Sequence, residues 1–498
     1  MNDTAGNTSR LYQGDRSRAF APATALAALL AQRKISSREL LEIYLGRIER
    51  LNPALNAIVT LDAERALADA DAADRAIARG QSRGPLHGLP ITVKDCLATA
   101  GLRTTAGARE LADYVPAHDA VAVGRLRAAG AIILGKTNLP AFAGDAQSYN
   151  DLFGTTNNPW DVSRTPGGSS GGSAAAIAAG LSGLELGSDL GGSLRIPAHF
   201  CGVYTLKPTY GIVPLHGHIP PPPGTMADMD VGAIGPLARS ASDLDLALSV
   251  IAGPDTEREV AWRLELPPPR GGSLADYRIA VWLDDPYCTV DREITAVYDH
   301  LITELRGAGA TIVESVPPVP VADAHDVAQR LIQGAMSGWL SDEMFQTLLA
   351  RAEAAAADDT TPPVRWARNI TQRVREYRLA EEQRLRFKAA WADFFRNHDV
   401  LLCPVTPTPA FPHDHTPDVD ARTIVVNGAT RSYGDQFSWL QAIGVVHLPV
   451  VGAPVGLTSA GLPVGIQIVA PHLEDRTAID VARHIADVVG GFQAPPGF

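Results

Sequence analysis

Apolar and polar positions alternate along this chain with two different periods, and the changes from one to the other mark a succession of helices and strands. Ser36-Ser37-Arg38-Glu39 has the form of a capping box, and Leu41, Tyr44, Leu45, Ile48 and Leu51 then recur on one helical face, predicting a helix over 37–51. The alanine-rich run 62–79 ends at Gly80, which suits the left-handed position after a helix, so a second helix is expected there. Leu89-Pro90-Ile91-Thr92-Val93 is a short apolar run that predicts a buried strand with Lys94 at its end. Further strands are expected at 131–134, 279–282, 311–313, 400–402 and 464–469, with helices at 119–129, 173–182, 291–308 and 475–489 between them. The segment 320–396 reads as a helical excursion beside the sheet, broken at Asp358-Asp359-Thr360-Thr361-Pro362-Pro363. Alternating helices and buried strands predict an α/β fold with a largely covered sheet. No internal repeat or interdomain linker is visible, so residues 1–498 are expected to form one large domain, with about the first 20 flexible. Ile219-Pro220-Pro221-Pro222-Pro223-Gly224 reads as a stiff, exposed loop.

Composition narrows the class without naming it. Apolar residues make up 46% and charged residues 20%, which excludes global disorder and fits a globular chain. The net charge of −12, with no cluster of Lys and Arg, argues against a nucleic-acid surface. Cys96, Cys201, Cys288 and Cys403 are far apart and form no C-x-x-C pair, so neither a disulfide framework nor a zinc site is indicated, and a reduced, cytoplasmic compartment is the natural reading. The run 20–31 has the apolarity of a signal segment but lacks a convincing cleavage site and reads as a surface helix. No window approaches the ~20 apolar residues of a membrane span.

The chemistry concentrates in two glycine-rich turns. Thr165-Pro166-Gly167-Gly168-Ser169-Ser170-Gly171-Gly172-Ser173 is followed, after one helical segment, by Gly187-Ser188-Asp189-Leu190-Gly191-Gly192-Ser193-Leu194-Arg195. Glycine lets backbone N–H groups converge on one point, the requirement of an oxyanion hole, and a serine beside such a nest is a candidate nucleophile. Alone, the first turn could be a flexible linker, but the helix that follows and the second turn beyond it speak against that. It also fits G-x-S-x-G, yet the polar stretch before it is no strand leading into a nucleophile elbow. Gly130-Ala131-Ile132-Ile133-Leu134-Gly135-Lys136-Thr137 matches the phosphate-loop pattern, but its four variable residues are themselves a strand, and nucleotide binding is set aside. The pairs His216 with His218 and His413 with His415 read as solvated loop histidines, leaving no metal and no cofactor expected. A strand-end lysine such as Lys94 ordinarily snorkels to solvent; enclosed in a dry pocket, it would instead be a neutral amine able to act as a base.

Taken in order, Gly88-Leu89-Pro90-Ile91-Thr92-Val93-Lys94-Asp95, Gly135-Lys136-Thr137-Asn138, the run from Phe153 through Trp160, both serine turns, Phe200-Cys201-Gly202, Leu206-Lys207-Pro208-Thr209 and Gly461-Leu462-Pro463-Val464-Gly465-Ile466-Gln467 resemble the amidase signature family over nearly the whole length. The resemblance implies a mixed central sheet flanked by helices on both sides and a Ser-cisSer-Lys triad. It makes Ser193 the acyl-accepting nucleophile, Ser169 the bridging serine after a cis Gly168-Ser169 peptide, and Lys94 the terminal base. The amides of Leu190, Gly191, Gly192 and Ser193 match the oxyanion hole; Leu190 stands where Thr or Ile is common, and Cys96 where Asn is common. Ala143, Gly144, Asp145 and Ala146, running on to Gln147, match a stretch that lines the substrate pocket in relatives. The implied activity is hydrolysis of carboxylic amide bonds to a carboxylate and ammonia or an amine, on a small-molecule substrate, without a cofactor, nucleic acid or membrane, in a chain that could form a homodimer. Esters and carbamates are open as substrates. The alternative is the glutaminase-type A subunit of a tRNA-dependent amidotransferase, against which Tyr377-Arg378-Leu379-Ala380-Glu381-Glu382 stands where a Tyr-rich, Lys-containing segment is expected.

Overall fold

An eleven-stranded mixed sheet runs through the computed structural model, which describes residues 15–498. The flexible N-terminal segment expected from the sequence falls mostly outside those residues. In chain order the strands are β1 (Ile58–Leu61), β2 (Pro90–Lys94), β3 (Ile132–Thr137), β4 (Glu185–Asp189), β5 (Tyr204–Lys207), β6 (Ala233–Ala238), β7 (Arg278–Val281), β8 (Thr311–Glu314), β9 (Val400–Pro404), β10 (Val450–Leu457) and β11 (Pro463–Val469). Across the sheet they lie in the order β1-β3-β2-β4-β6-β5-β10-β11-β9-β7-β8. β2 pairs in parallel with both β3 and β4, β7 pairs in parallel with β8 and β9, and the remaining pairs are antiparallel.

Successive residues of a strand point to opposite faces, and β3 shows that both faces are covered. Ile132 and Leu134 pack with Leu41 and Ile48 of the helix Ser37–Leu55 and with Ala66 and Ala70 of the helix Ala63–Ala78. Ile133, between them, joins the larger core that includes Leu126, Leu244 and Leu248 on the other face. The capping box forms as read, with the Ser36 side chain accepting from the Glu39 N–H and Glu39 reaching back. That helix runs on to Leu55, past the expected end, and stops at Asn56 in a left-handed conformation with φ +50°.

The short helix Gly171–Ala178 is buried along its whole length. A Cβ on Gly172 would lie 2.4 Å from the Asn138 backbone nitrogen, so only glycine lets this helix pack so closely against the chain after β3. Beyond β8 the excursion resolves into the helices Val321–Met336, Asp342–Ala354, Pro362–Ile370 and Val374–Phe394, with the polar break between the second and third. The proline-rich loop is exposed only from Pro222 onward. Its first half is drawn in because the Ile219 N–H bonds to the Cys96 carbonyl at 2.8 Å. Among the described residues no helix is long and apolar enough to cross a membrane.

Candidate active site

Strands β2 and β4 are neighbours, with Thr92 opposite Glu185 and Val93 opposite Leu186. Every residue of both is buried, yet between them they carry Thr92, Lys94, Glu185, Ser188 and Asp189. Buried polar groups are tolerated only when bonded, and here they are. Glu185 accepts from the hydroxyls of Thr92, of Thr137 at 2.9 Å and of Ser173 at 3.0 Å, and burial raises its pKa to about 7. Lys94 is fully buried, so it does not snorkel; its Nζ hydrogen-bonds Ser169 Oγ at 2.7 Å and Ser188 Oγ at 3.1 Å. Burial lowers the Lys94 pKa below the ordinary 10.5, outweighing the opposite pull of Cys96, Asp189 and Glu185.

The two serine turns are stitched together by backbone. The Ser170 N–H donates to the Ser193 carbonyl at 3.1 Å, and the Ser170 hydroxyl donates to the Ser188 carbonyl at 3.2 Å. The Gly168–Ser169 peptide is cis. A Cβ on Gly168 would come within 2.6 Å of the Asp145 carbonyl and the Gln147 nitrogen, so the 145–147 backbone lies directly against this turn.

Asp189, at the end of β4, organises the second turn. One carboxylate oxygen accepts from the Gly192 N–H at 2.8 Å and from Arg195 Nη2 at 2.9 Å; the other accepts from the Leu194 N–H at 3.1 Å and from Arg195 Nε at 3.0 Å. Arg195 also donates to the Leu440 carbonyl at 3.0 Å and to Gln467 Oε1 at 2.9 Å. Burial alone would raise the Asp189 pKa, but the Arg195 guanidinium holds it below the usual carboxylate value. Of the four expected oxyanion donors, the Gly192 N–H is thus committed to Asp189. The N–H groups of Leu190, Gly191 and Ser193, in a partly exposed stretch, have no hydrogen-bond partner among the described residues. Replacing Asp189 by Ala strands a buried Arg195 and removes two supports of the turn. The expected loss of about 3–5 kcal/mol of stability is checked by denaturant unfolding.

The expected substrate-lining segment divides. Ala143, with φ +58°, is partly buried and Gly144 is exposed. Ala146 is buried among Ile196, Tyr433 and Leu440. The Asp145 carboxylate is held by Arg422 Nη1 and the Tyr433 hydroxyl, both at 2.6 Å, so its charge is already matched. The groups that a Cβ on Gly191 or Gly192 would meet are Gln441, Phe437, Leu440 and Ile196, none of them charged.

Three residues that sequence reasoning left without a role surround Lys94 from behind. Ser188 lies 2.8 Å from His218 Nε2, and Cys96 Sγ lies 3.5 Å from that nitrogen and 3.6 Å from Ser188 Oγ. Burial pushes the Cys96 thiol up, but His218 and Lys94 beside it pull it down further, to about 7. His216 is exposed, as a solvated loop histidine should be, whereas His218 is buried and bonded; the H-x-H pair splits because the chain turns between them at Gly217, whose φ is +91°. Lys136 of the phosphate-loop lookalike is spent within the fold, donating to the Leu97 carbonyl and to Thr99 and Thr104 hydroxyls at 2.8 and 3.2 Å. No cluster of His, Cys, Asp and Glu suited to a metal occurs among the described residues.

The family model described as Amidase matches residues 39–479. The chain belongs to the amidase signature family. Among curated relatives of this amidase signature chain, the A subunit of the glutamyl-tRNA(Gln) amidotransferase of Thermus thermophilus is 37% identical over 478 residues, spanning 92% of this chain and 95% of its own. Among solved structures, one described as an unexpected vestigial protein complex that reveals the evolutionary origins of an s-triazine catabolic enzyme superposes with a TM-score of 0.80 at 29% identity, covering 95% of this chain and 100% of that one. A crystal structure of an amidase superposes with a TM-score of 0.77 at 28% identity, covering 94% and 100%.

Proposed function

We propose that this amidase signature chain hydrolyses carboxylic amides through an acyl-enzyme on Ser193. The observation that carries the reading is the hydrogen bond between the buried Lys94 amine and Ser169, 2.7 Å long, in a site where burial lowers the lysine pKa. Ser193 attacks the carbonyl while its proton passes through Ser169 to Lys94, and the developing oxyanion meets the free N–H groups of Leu190, Gly191 and Ser193. The same relay then returns a proton to the departing nitrogen, without which an amide anion is too poor a leaving group. Water resolves the acyl-enzyme by the reverse path, releasing the carboxylate. The groups that a Cβ on Gly191 or Gly192 would meet are uncharged, which favours a neutral acyl group, and Gln441 Nε2 is the polar atom among them. The reduced cysteines fit a cytoplasmic enzyme.

The second reading uses the same chemistry on a different substrate: a glutaminase-type A subunit handing ammonia to partners of a tRNA-dependent amidotransferase. The 37% identity to the Thermus thermophilus protein over 92% of this chain supports it directly, and more strongly than the 28% identity to the crystallised amidase supports a stand-alone enzyme. The purified chain, in a strong chelator and without ATP or tRNA, is expected to hydrolyse a small aryl amide. Cleavage of glutamine alone, and only with partner proteins added, would transfer the conclusion to the amidotransferase reading; loss of activity to chelator would overturn the metal-free relay in either.

A further inference from the structure

The relay works only if its protons all point one way, and the groups behind Lys94 decide that direction. A deprotonated lysine amine has a single lone pair, and that lone pair must face Ser169 to take its proton. Two hydroxyls, those of Ser169 and Ser188, lie within hydrogen-bond reach of Lys94 Nζ, and either can donate to it. If Ser188 donates, the lone pair is consumed and Ser169 has no base.

His218 settles which way Ser188 turns. Its Nδ1 lies 2.6 Å from the Pro220 carbonyl oxygen, which can only accept, so Nδ1 carries the proton. With the proton on Nδ1, the ring presents Nε2, 2.8 Å from Ser188 Oγ, as an acceptor for the serine hydroxyl. With its proton directed to Nε2, Ser188 can only accept from Lys94. The amine gives one N–H to Ser188 and keeps its lone pair for Ser169. Cys96 Sγ, at 3.5 Å, is farther from Nε2 than Ser188 Oγ and does not displace it.

We infer that His218 is a positioning residue: held in one tautomer by the Pro220 carbonyl, it orders the hydrogen bonds of Ser188 and Lys94 so that the lysine lone pair is aimed at Ser169. This rests on the proposed role of Lys94 as base. His218 touches neither substrate nor a reacting atom, so it governs the rate of the chemical step and leaves substrate affinity alone.

The test is a crossed pair of substitutions, assayed on the full-length chain with an aryl amide. In His218→Gln the amide oxygen reaches the place of Nε2 and can accept from Ser188. In His218→Asn the amide nitrogen reaches the place of Nδ1, keeping the loop anchored to Pro220 while leaving Ser188 without an acceptor. The expected result is that His218→Gln retains most of kcat, while His218→Asn loses roughly 10–100-fold, the loss usual when a residue that orients an active group is removed, with KM changed less than about twofold in both. Ser188→Ala deletes the competing hydroxyl, so adding His218→Asn to it should cost little more, whereas in a Cys96→Ala background the Asn substitution should still cost roughly 10–100-fold. Equal losses in the Gln and Asn variants, a loss confined to KM, full additivity with Ser188→Ala, or disappearance of the His218→Asn loss in the Cys96→Ala background would each overturn the inference. Should His218→Asn fail to fold, a kcat loss of about 10-fold or more in His218→Gln would by itself overturn the inference. A parent enzyme that a fluorophosphonate does not label at Ser193 would instead mark failure of the underlying reading.

Discussion

Ser193→Ala is expected to leave the protein folded and to lower amide turnover about a million-fold, the scale on which acyl-enzyme hydrolases respond to loss of the nucleophile. The fold should survive because Ser193 contributes only its backbone to the contacts that hold the turn: its carbonyl receives the Ser170 N–H, and the neighbouring Gly192 and Leu194 are fixed by Asp189. The variant keeps the backbone donors and Lys94, so substrate should still bind while no oxygen remains to accept the acyl group. Unchanged thermal unfolding together with lost turnover, and a serine-directed fluorophosphonate that labels the parent at Ser193 and spares the variant, is the expected pattern. Labelling mapped to Ser169 or Ser170 would return the assignment to a nucleophile elbow in the first turn.

Lys94→Met, which keeps most of the side-chain volume, is expected to lower amide hydrolysis by about 10²–10⁴-fold and ester hydrolysis by less, since an alkoxide departs with less help from a proton. The parent rate should rise with pH through a pKa below 10.5, because the base is the neutral amine and burial favours that form, and the variant should lose this rising limb. The sign on stability is the same. An unfolded chain binds the Lys94 proton more tightly than the folded one, so this residue's contribution to stability rises with pH between the folded and unfolded values, and the methionine variant should lose that slope. Both are read from one pH series of rates and unfolding midpoints. A variant with parental amide turnover would make Lys94 a structural lysine.

The hydrophobic pattern made the strands β2, β3, β7, β8, β9 and β11 visible in the sequence, because their apolar runs fit a covered sheet in all but β8, which lies at the edge and is largely exposed. It hid β4, which reads as a glycine-rich turn: Glu185, Ser188 and Asp189 are polar, and only the partners supplied by β2, the buried helix and Arg195 make them tolerable inside. β1, β5, β6 and β10 were also missed, being short or interrupted by glycine and proline. Lys94, Ser169 and Ser193 were legible because glycine-rich turns are conspicuous and the order of motifs is distinctive. His218 was not. It belongs to a loop, 124 residues beyond Lys94 in the chain, and its contact depends on the pairing of Leu97 with His218 that no local pattern reports.

Lys94 and Ser188 sit on adjacent parallel strands, third and fourth of the eleven across the sheet, while the segments packed against the two glycine-rich turns, 145–147 and 437–441, are far apart in sequence. The Lys94–Ser188 distance is therefore set by the spacing of neighbouring strands, while the turns that carry Ser169 and Ser193 are held by the Ser170–Ser193 backbone bond and by Asp189. Divergence of such an enzyme toward new substrates can proceed by rewriting the rim residue by residue while the chemical engine is inherited intact. A change of substrate should accordingly appear first as altered selectivity among acyl groups at a nearly constant pH profile.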